Sequence, residues 1–449
     1  MTDKSNPPLA VLVSIQSHGI SDEDHQANFD ELERLVTTLG FETIARVSQK
    51  RRTEAPGTVL GAGKLKELAS WTGGSGIVHR FGETVEDVEE LDHYEEELEV
   101  AQGRRKATIV IIDKEISPSQ LKNLEDATGV EVMDRTGVIL EIFSRHANSR
   151  ESRMQVEIAK LAYMAPRLRL SKVGGDRQGG GIGGKGAGET AHELDRRRIR
   201  DRIAELKHQL KAIREEQLGK RAKRRSDPSV ALIGYTNAGK SSLMRALTGS
   251  DVLVADKLFA TLGTTVRVMQ IPGSRRILIS DTVGFIRNLP HDLIASFHST
   301  LDEALICSLL FFTVDASDPN FRSQLAVTHQ VMSEIEAQDI PSRLILNKVD
   351  RLDSVQIAAL KEEYPEAIFI STRNPEDIER VKALILEFFD EGTVDKQIFV
   401  AYADTKAIGQ IRARAQVIEE RHTEEGTEIT VRALPEVHAW IEATVLPKP

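Results

Sequence analysis

Residues 229–242 read "SVALIGYTNAGKSS" and run on into "LMRALTG", a short apolar run, a glycine-bounded loop and an amphipathic segment in direct succession. No other stretch restricts the fold as much. A strand that feeds a loop and then a helix needs strand neighbours on its edges and a sheet face for the helix to cover. The expected class is therefore α/β, with a doubly wound parallel sheet around this loop. Gly234-x-x-x-x-Gly239-Lys240-Ser241 has the spacing of a P-loop. The backbone N–H groups of Gly234, Tyr235, Thr236, Asn237, Ala238 and Gly239 can cradle a diphosphate at the helix N-terminus. Lys240 can reach the β and γ oxygens, the Ser241 hydroxyl suits Mg²⁺, and Ser242 completes the helix's first residues.

Two other glycine stretches fail the same test. "GGGIGGKGAGET" (179–190) has Gly179, Gly184 and Lys185 at P-loop spacing, but no apolar strand precedes it and Gly186 follows the lysine. "GAGKL" (61–65) has Thr58 in place of the first glycine and Leu65 after the lysine.

The P-loop alone does not choose between ATP and GTP. "RLILNKVD" chooses, because Asn347, Lys348 and Asp350 follow a strand at its carboxyl end, where α/β sheets bind ligands. A carboxylate there accepts two hydrogen bonds, from guanine N1–H and the N2 amine. Adenine offers no such pair, and a buried acceptor left unmatched costs about 1–3 kcal/mol. In "SDTVGF", Asp281 ends a strand and can hold the Mg²⁺ shell through water. Thr282 and Val283 lead to Gly284, whose N–H can contact the γ-phosphate. That contact exists only with a triphosphate, so its loss can release the following segment as a switch. "ATLGTTVR" (260–267) offers Thr264 and Thr265 as a second switch element. "STRN", with Ser371 and Thr372, can present backbone N–H groups to the guanine oxygen.

Phe285 follows Gly284, where Ras-like enzymes carry the glutamine that orients the attacking water. Slow intrinsic hydrolysis, raised by a partner, is expected. Asn237 is the residue type by which some GTPases hold K⁺ beside the phosphates, so K⁺ is an additional expected cofactor.

Charge is distributed unevenly along the 449 residues. Residues 150–225 hold 21 Lys and Arg against 10 Asp and Glu, although the whole chain is at −10. Residues 82–100 hold ten acids and no Lys or Arg. One segment can face polyphosphate while the rest avoids it. Ile199, Ile203, Leu206, Leu210 and Ile213 step by four and three, a coiled-coil seam that five positions make more suited to an internal helix pair than to a dimer. The single cysteine, Cys307, lies in an apolar run and reads as a buried structural thiol in a reducing compartment. Nothing approaches the roughly 20 apolar residues of a membrane span. A cytoplasmic protein, monomeric when free, is expected, with peripheral membrane association left open. The pattern of strands and helices suggests an α/β domain over 1–147 with an acidic insertion near 82–100 and a basic helical hairpin over 148–226 with a glycine-rich loop at 174–188. A nucleotide domain over 227–391 and a small α+β domain over 392–449, with a helix at 404–420, complete the division.

These elements, with "DRTGVILEIFSRHANSRESRMQVEIAKLAYMAPRL", "GGGIGGKGAGETAHELDRRRIRDRIAEL" and "KLFATLGTTVR…DTVGFIRNLPHDLIASFHSTL", resemble HflX, a family of ribosome-associated GTPases. The resemblance implies GTP and GDP as ligands, Mg²⁺ held by Ser241 and Thr265, and Lys240, Thr265 and Gly284 as the catalytic set. It also implies binding to the large ribosomal subunit, with splitting or rescue of stalled ribosomes as the activity and the glycine-rich loop near rRNA. Gly263-Thr264-Thr265 stands where the family often has Asp-Pro-Thr, so the choice of Thr265 rests on alignment. A regulatory GTP switch that binds a protein or small RNA is the rival reading; an ATP-driven helicase or kinase is a second.

Overall fold

The computed structural model describes residues 7–51, 55, 57–78, 105–169, 191–224, 228–249, 258–259, 265–269, 276–287, 305–402, 405–433 and 435–445. The acidic run 82–100, the glycine-rich loop 174–188 and Thr264 lie outside the described residues. The chain divides into two compact units that meet in sequence at Lys211 and Ala212.

In the first unit, β1 (Leu9–Ser17), α1 (Asp22–Thr38), β2 (Glu42–Arg51) and α2 (Ala62–Thr72) precede β3 (Ile109–Ile112), α3 (Pro118–Thr128) and β4 (Glu131–Asp134). The strands form a parallel sheet in the order β2-β1-β3-β4. β1 and β3 are central, which is why "AVLV" and "IVII" are apolar on both faces. α3 starts at a capping box in which Ser117 and Gln120 satisfy each other's backbone N–H groups, and it stops at Gly129, φ +68. α1 begins at Asp22 because Ser21 caps it by accepting from Asp24 N–H.

Helices α4 (Arg135–His146), α5 (Arg150–Met164) and α6 (Ala191–Arg224) follow. The buried face of α5 carries Ser152, Met154, Gln155, Val156 and Ala159, whereas Ile158 and Leu161 are half-buried. Small and polar residues therefore share this contact with Met154 and Val156, although Met154, Ile158, Leu161 and Ala165 have the apolar spacing of a helix face; Ser152 bonds the Ser149 hydroxyl at 2.7 Å. On α6 the seam is the least exposed stripe: Leu206 and Leu210 are buried and Ile199, Ile203 and Ile213 half-buried. Arg202 of α6 meets Glu157 of α5 at 2.9 Å.

The second unit carries β5 (Ser229–Ile233), α7 (Lys240–Thr248), β6 (Thr265–Met269), β7 (Ile277–Asp281), β8 (Leu309–Asp315), α8 (Phe321–Glu334), β9 (Ser342–Asn347), α9 (Ser354–Glu363), β10 (Ile368–Phe369) and α10 (Pro375–Asp390). The six strands lie in the order β10-β9-β8-β5-β7-β6, all parallel except β6, which runs antiparallel to β7 at the edge. Helices cover both faces. Leu243 and Met244 of α7 and Val381 and Ile385 of α10 share one core with Phe311, while Phe312, next along β8, stacks on His329 of α8 at 4.3 Å. Cys307 is buried as expected.

β11 (Val394–Ala401), α11 (Thr405–Arg414), β12 (Gln416–His422), β13 (Gly426–Ala433) and α12 (Pro435–Trp440) complete the chain, with an antiparallel sheet ordered β11-β13-β12. The helix expected over 404–420 stops at Arg414. Residues 416–422 instead pair with β13 across a turn in which Thr423 N–H donates to Gly426 O at 2.8 Å. The hairpin's cross-strand bonds outweigh the helical propensity of "QVIEER".

Candidate nucleotide site

The loop after β5 is shaped by steric limits. Gly234 has φ +154, and a side chain there would come within 2.1 Å of Thr313 O. Gly239 has φ +94, and a Cβ there would lie 2.2 Å from Asn347 Nδ2. Asn237 takes the left-handed conformation, φ +62. Only such a backbone brings the chain round to start α7 at Lys240.

Side chains from three strand ends tie the loop down. Lys240 is buried and its Nζ donates to Gly234 O at 2.9 Å and Tyr235 O at 2.8 Å. Burial lowers its pKa to about 8, a shift that the Asp281 carboxylate opposes. Ser241 Oγ donates to Asp281 Oδ2 at 2.6 Å, and Thr282 Oγ1 to Leu232 O at 2.8 Å. Asn347 Nδ2 donates to Ala238 O at 2.9 Å; Lys348 Nζ donates to Asn237 O at 2.8 Å. Ser371 Oγ donates to Asp350 Oδ1 at 2.7 Å, and Arg373 stands 3.8 Å from the other oxygen.

The residues marked in the sequence thus converge: 234–242, 281–284, 347–350 and Ser371 meet at the carboxyl ends of β5, β7, β9 and β10. Thr265 opens β6 directly opposite Asp281. Thr372 and Ser242 are half-buried beside their neighbours. Thr236 N–H is already committed to Phe285 O at 2.9 Å, so that donor is not turned toward a phosphate here.

Some contributors were not recognised in the sequence. Asp315 at the end of β8 accepts from Lys348 Nζ at 2.7 Å and, through its other oxygen, from Ser317 N–H at 3.0 Å. Asp377 receives Ser371 N–H at 2.8 Å and so fixes the loop beside Asp350. An acid ending the buried run "LLFFTV" was the available signal for Asp315; nothing local marks Asp377.

Within this site, the buried Thr236 Oγ1 in the loop and Asn347 Oδ1 at its edge have no hydrogen-bond partner among the described residues. Buried polar groups are rarely left so. A bound polar ligand would satisfy them.

A largely parallel sheet, a P-loop at its switch point and an acidic residue in the turn just beyond a neighbouring strand are the features of a P-loop GTPase. Sequence profiles described as "GTP-binding GTPase N-terminal", "GTP-binding GTPase Middle Region" and "50S ribosome-binding GTPase" match residues 26–78 with 88–144, 146–224 and 229–348. Residues 88–100 of the acidic run lie inside the first match. A relative named GTPase HflX from Gluconacetobacter diazotrophicus is 52% identical over 97% of both chains. Another GTPase HflX, from Caldanaerobacter subterraneus, is 36% identical over 95% of this chain and 91% of its own. The chain belongs to the HflX family of GTPases and hydrolyses GTP. A solved GTP-binding protein of Sulfolobus solfataricus with GDP is 21% identical over 85% of this chain and 99% of its own, at a TM-score of 0.43.

Proposed function

We propose that this GTPase binds the large ribosomal subunit and couples GTP binding and hydrolysis to the splitting or rescue of stalled ribosomes. The observation that carries the reading is α6. Its seam residues are buried or half-buried, while Arg196, Arg197, Arg198, Arg200, Lys207 and Lys211 are exposed. Such a stripe matches an RNA backbone and releases its counterions. The ribosome-binding description of the profile matched over 229–348 supports the same partner. No helix among the described residues is long and apolar enough to cross a membrane. A cytoplasmic monomer that associates with ribosomes fits this reading, as does the division into domains over 1–147, 148–226, 227–391 and 392–449.

Within the site, Asp350 reads guanine N1–H and N2; Ser371 N–H is taken by Asp377, so of the expected pair it is the Thr372 backbone N–H that is offered to the guanine oxygen. Lys240 and the loop N–H groups not already bonded within the protein hold the phosphates, and Gly284 N–H meets the terminal one. The Ser241 hydroxyl and the Asp281 carboxylate, 2.6 Å apart, are hard oxygen donors suited to Mg²⁺, with Thr265 opposite. The ion would neutralise charge on the terminal phosphates. Asn237 is assigned to K⁺. Phe285 is buried and has no group to orient water. Hydrolysis by the isolated protein is therefore slow, rises with ribosomal subunits, and gains modestly when K⁺ replaces Na⁺.

Dissociation of ribosomes, followed by light scattering, tests the proposal. Wild type with GTP splits ribosomes, while a variant shortened across 174–188 binds GTP normally and splits poorly. Undiminished splitting by that variant would remove the loop from the account. No splitting by wild type would favour a regulatory switch instead.

A further inference from the structure

The segment after the β7 aspartate is fastened to the phosphate loop at three points. Phe285 N–H donates to Gly234 O at 3.1 Å, and Thr236 N–H donates to Phe285 O at 2.9 Å. Arg287 N–H donates to the Tyr235 hydroxyl at 2.6 Å. Tyr235, Phe285 and Ile286 are all buried, and the Arg287 guanidinium reaches Ser323 Oγ on α8. The consequence falls on Gly284. A side-chain carbon there would lie 3.1 Å from Lys240 Nζ and 2.8 Å from Thr236 Cγ2. A terminal phosphate that contacts both Lys240 and Gly284 N–H has to enter between them. A diphosphate held by the loop makes no such demand.

We propose that the Tyr235 hydroxyl is a positioning group that sets the preference between di- and triphosphate. By holding Arg287 N–H it latches residues 284–287 over the third-phosphate position, so GTP has to displace the latch and GDP does not, the reverse of the release on phosphate loss that the sequence suggests. The inference rests on reading 234–241 and 281–284 as the nucleotide site. Two of the three contacts are backbone–backbone and available to any sequence. The third depends on the tyrosine oxygen, and it joins the second loop residue to a segment whose far anchor, Ser323, lies on another helix. The latch thus links the terminal phosphate to α8.

Affinities for GDP and for a non-hydrolysable GTP analogue, measured by titration calorimetry on the full chain, test this. Tyr235→Phe keeps the buried ring and removes only the oxygen. It should raise the analogue-to-GDP affinity ratio about three- to tenfold, the range of one net hydrogen bond. Ser323→Ala, which leaves the phosphate loop untouched, should move the ratio in the same direction by less. A ring that serves only packing would move both affinities together, and an unchanged ratio in both variants overturns the latch. Amide exchange gives a readout without mutation. The Phe285 and Arg287 amides, the donors of the latch, should be protected with GDP and exchange faster with the analogue; equal protection of Arg287 N–H in the two states also overturns it. Wild type that bound neither guanine nucleotide would instead defeat the site assignment on which the latch depends.

Discussion

Lys240 shows how one side chain joins folding to function. In the unfolded chain a lysine holds its proton up to its ordinary value of 10.5; in the folded loop burial lowers this to about 8. The folded state therefore binds the proton less tightly. Its burial destabilises the nucleotide-free protein below about pH 8, and the penalty is relieved as pH rises from about 8 toward 10.5. Lys240→Met loses the bonds to Gly234 O and Tyr235 O as well as the buried charge, so the pH trend is the readout: its melting temperature relative to wild type should fall between pH 7 and 9, and it should lose GTP binding. Differential scanning fluorimetry and calorimetry at pH 7 and 9 check both halves. A melting difference that is the same at both pH values would contradict the assigned penalty. The site was largely legible at this scale because Gly234, Lys240, Ser241, Asp281, Asn347 and Asp350 each satisfy a chemical need at a fixed spacing. Asp315 and Asp377 escaped notice because they act on other side chains, and such partners are set by the sheet order rather than by sequence distance.

At the scale of elements, end signals worked where chemistry marks them. The capping box at Ser117 and the left-handed Gly129 delimit α3 residue by residue. Where no such mark exists, tertiary pairing decided. Residues 416–420 joined a hairpin because β13 was there to pair with them, which no local property of "QVIEE" reveals. Buried charge was equally hidden. Arg135, at the start of α4, is enclosed with Glu31 of α1 and Asp113 after β3, the latter at 2.7 Å. Burial pushes the Asp113 carboxyl up, although the guanidinium opposes it. Removing the arginine leaves two buried acids unmatched, so Arg135→Ala should cost about 3–5 kcal/mol in urea unfolding of the first unit. A loss below 1 kcal/mol would mean that water reaches the cluster.

Over the whole molecule, a net charge of −10 conceals a basic stretch that the average does not report. Binding through α6 and its flanks should weaken steeply with salt, because each phosphate neutralised by Arg or Lys releases a counterion. Guanine recognition, held by hydrogen bonds from buried groups, should change little over the same range. The two salt responses, compared on one preparation, separate the RNA-facing part from the nucleotide-facing part. Equal salt sensitivity of both would argue against the division of labour.

The account depends above all on a link between what fills the β5, β7 and β9 strand ends and what α6 grips. Co-sedimentation with purified large ribosomal subunits, with hydrolysis followed in the same samples, measures that link. With a non-hydrolysable GTP analogue the protein should pellet with the subunits, and with GDP it should stay largely in the supernatant, while the subunits accelerate GTP turnover. Equal pelleting in both states, with turnover unmoved by subunits, would contradict it.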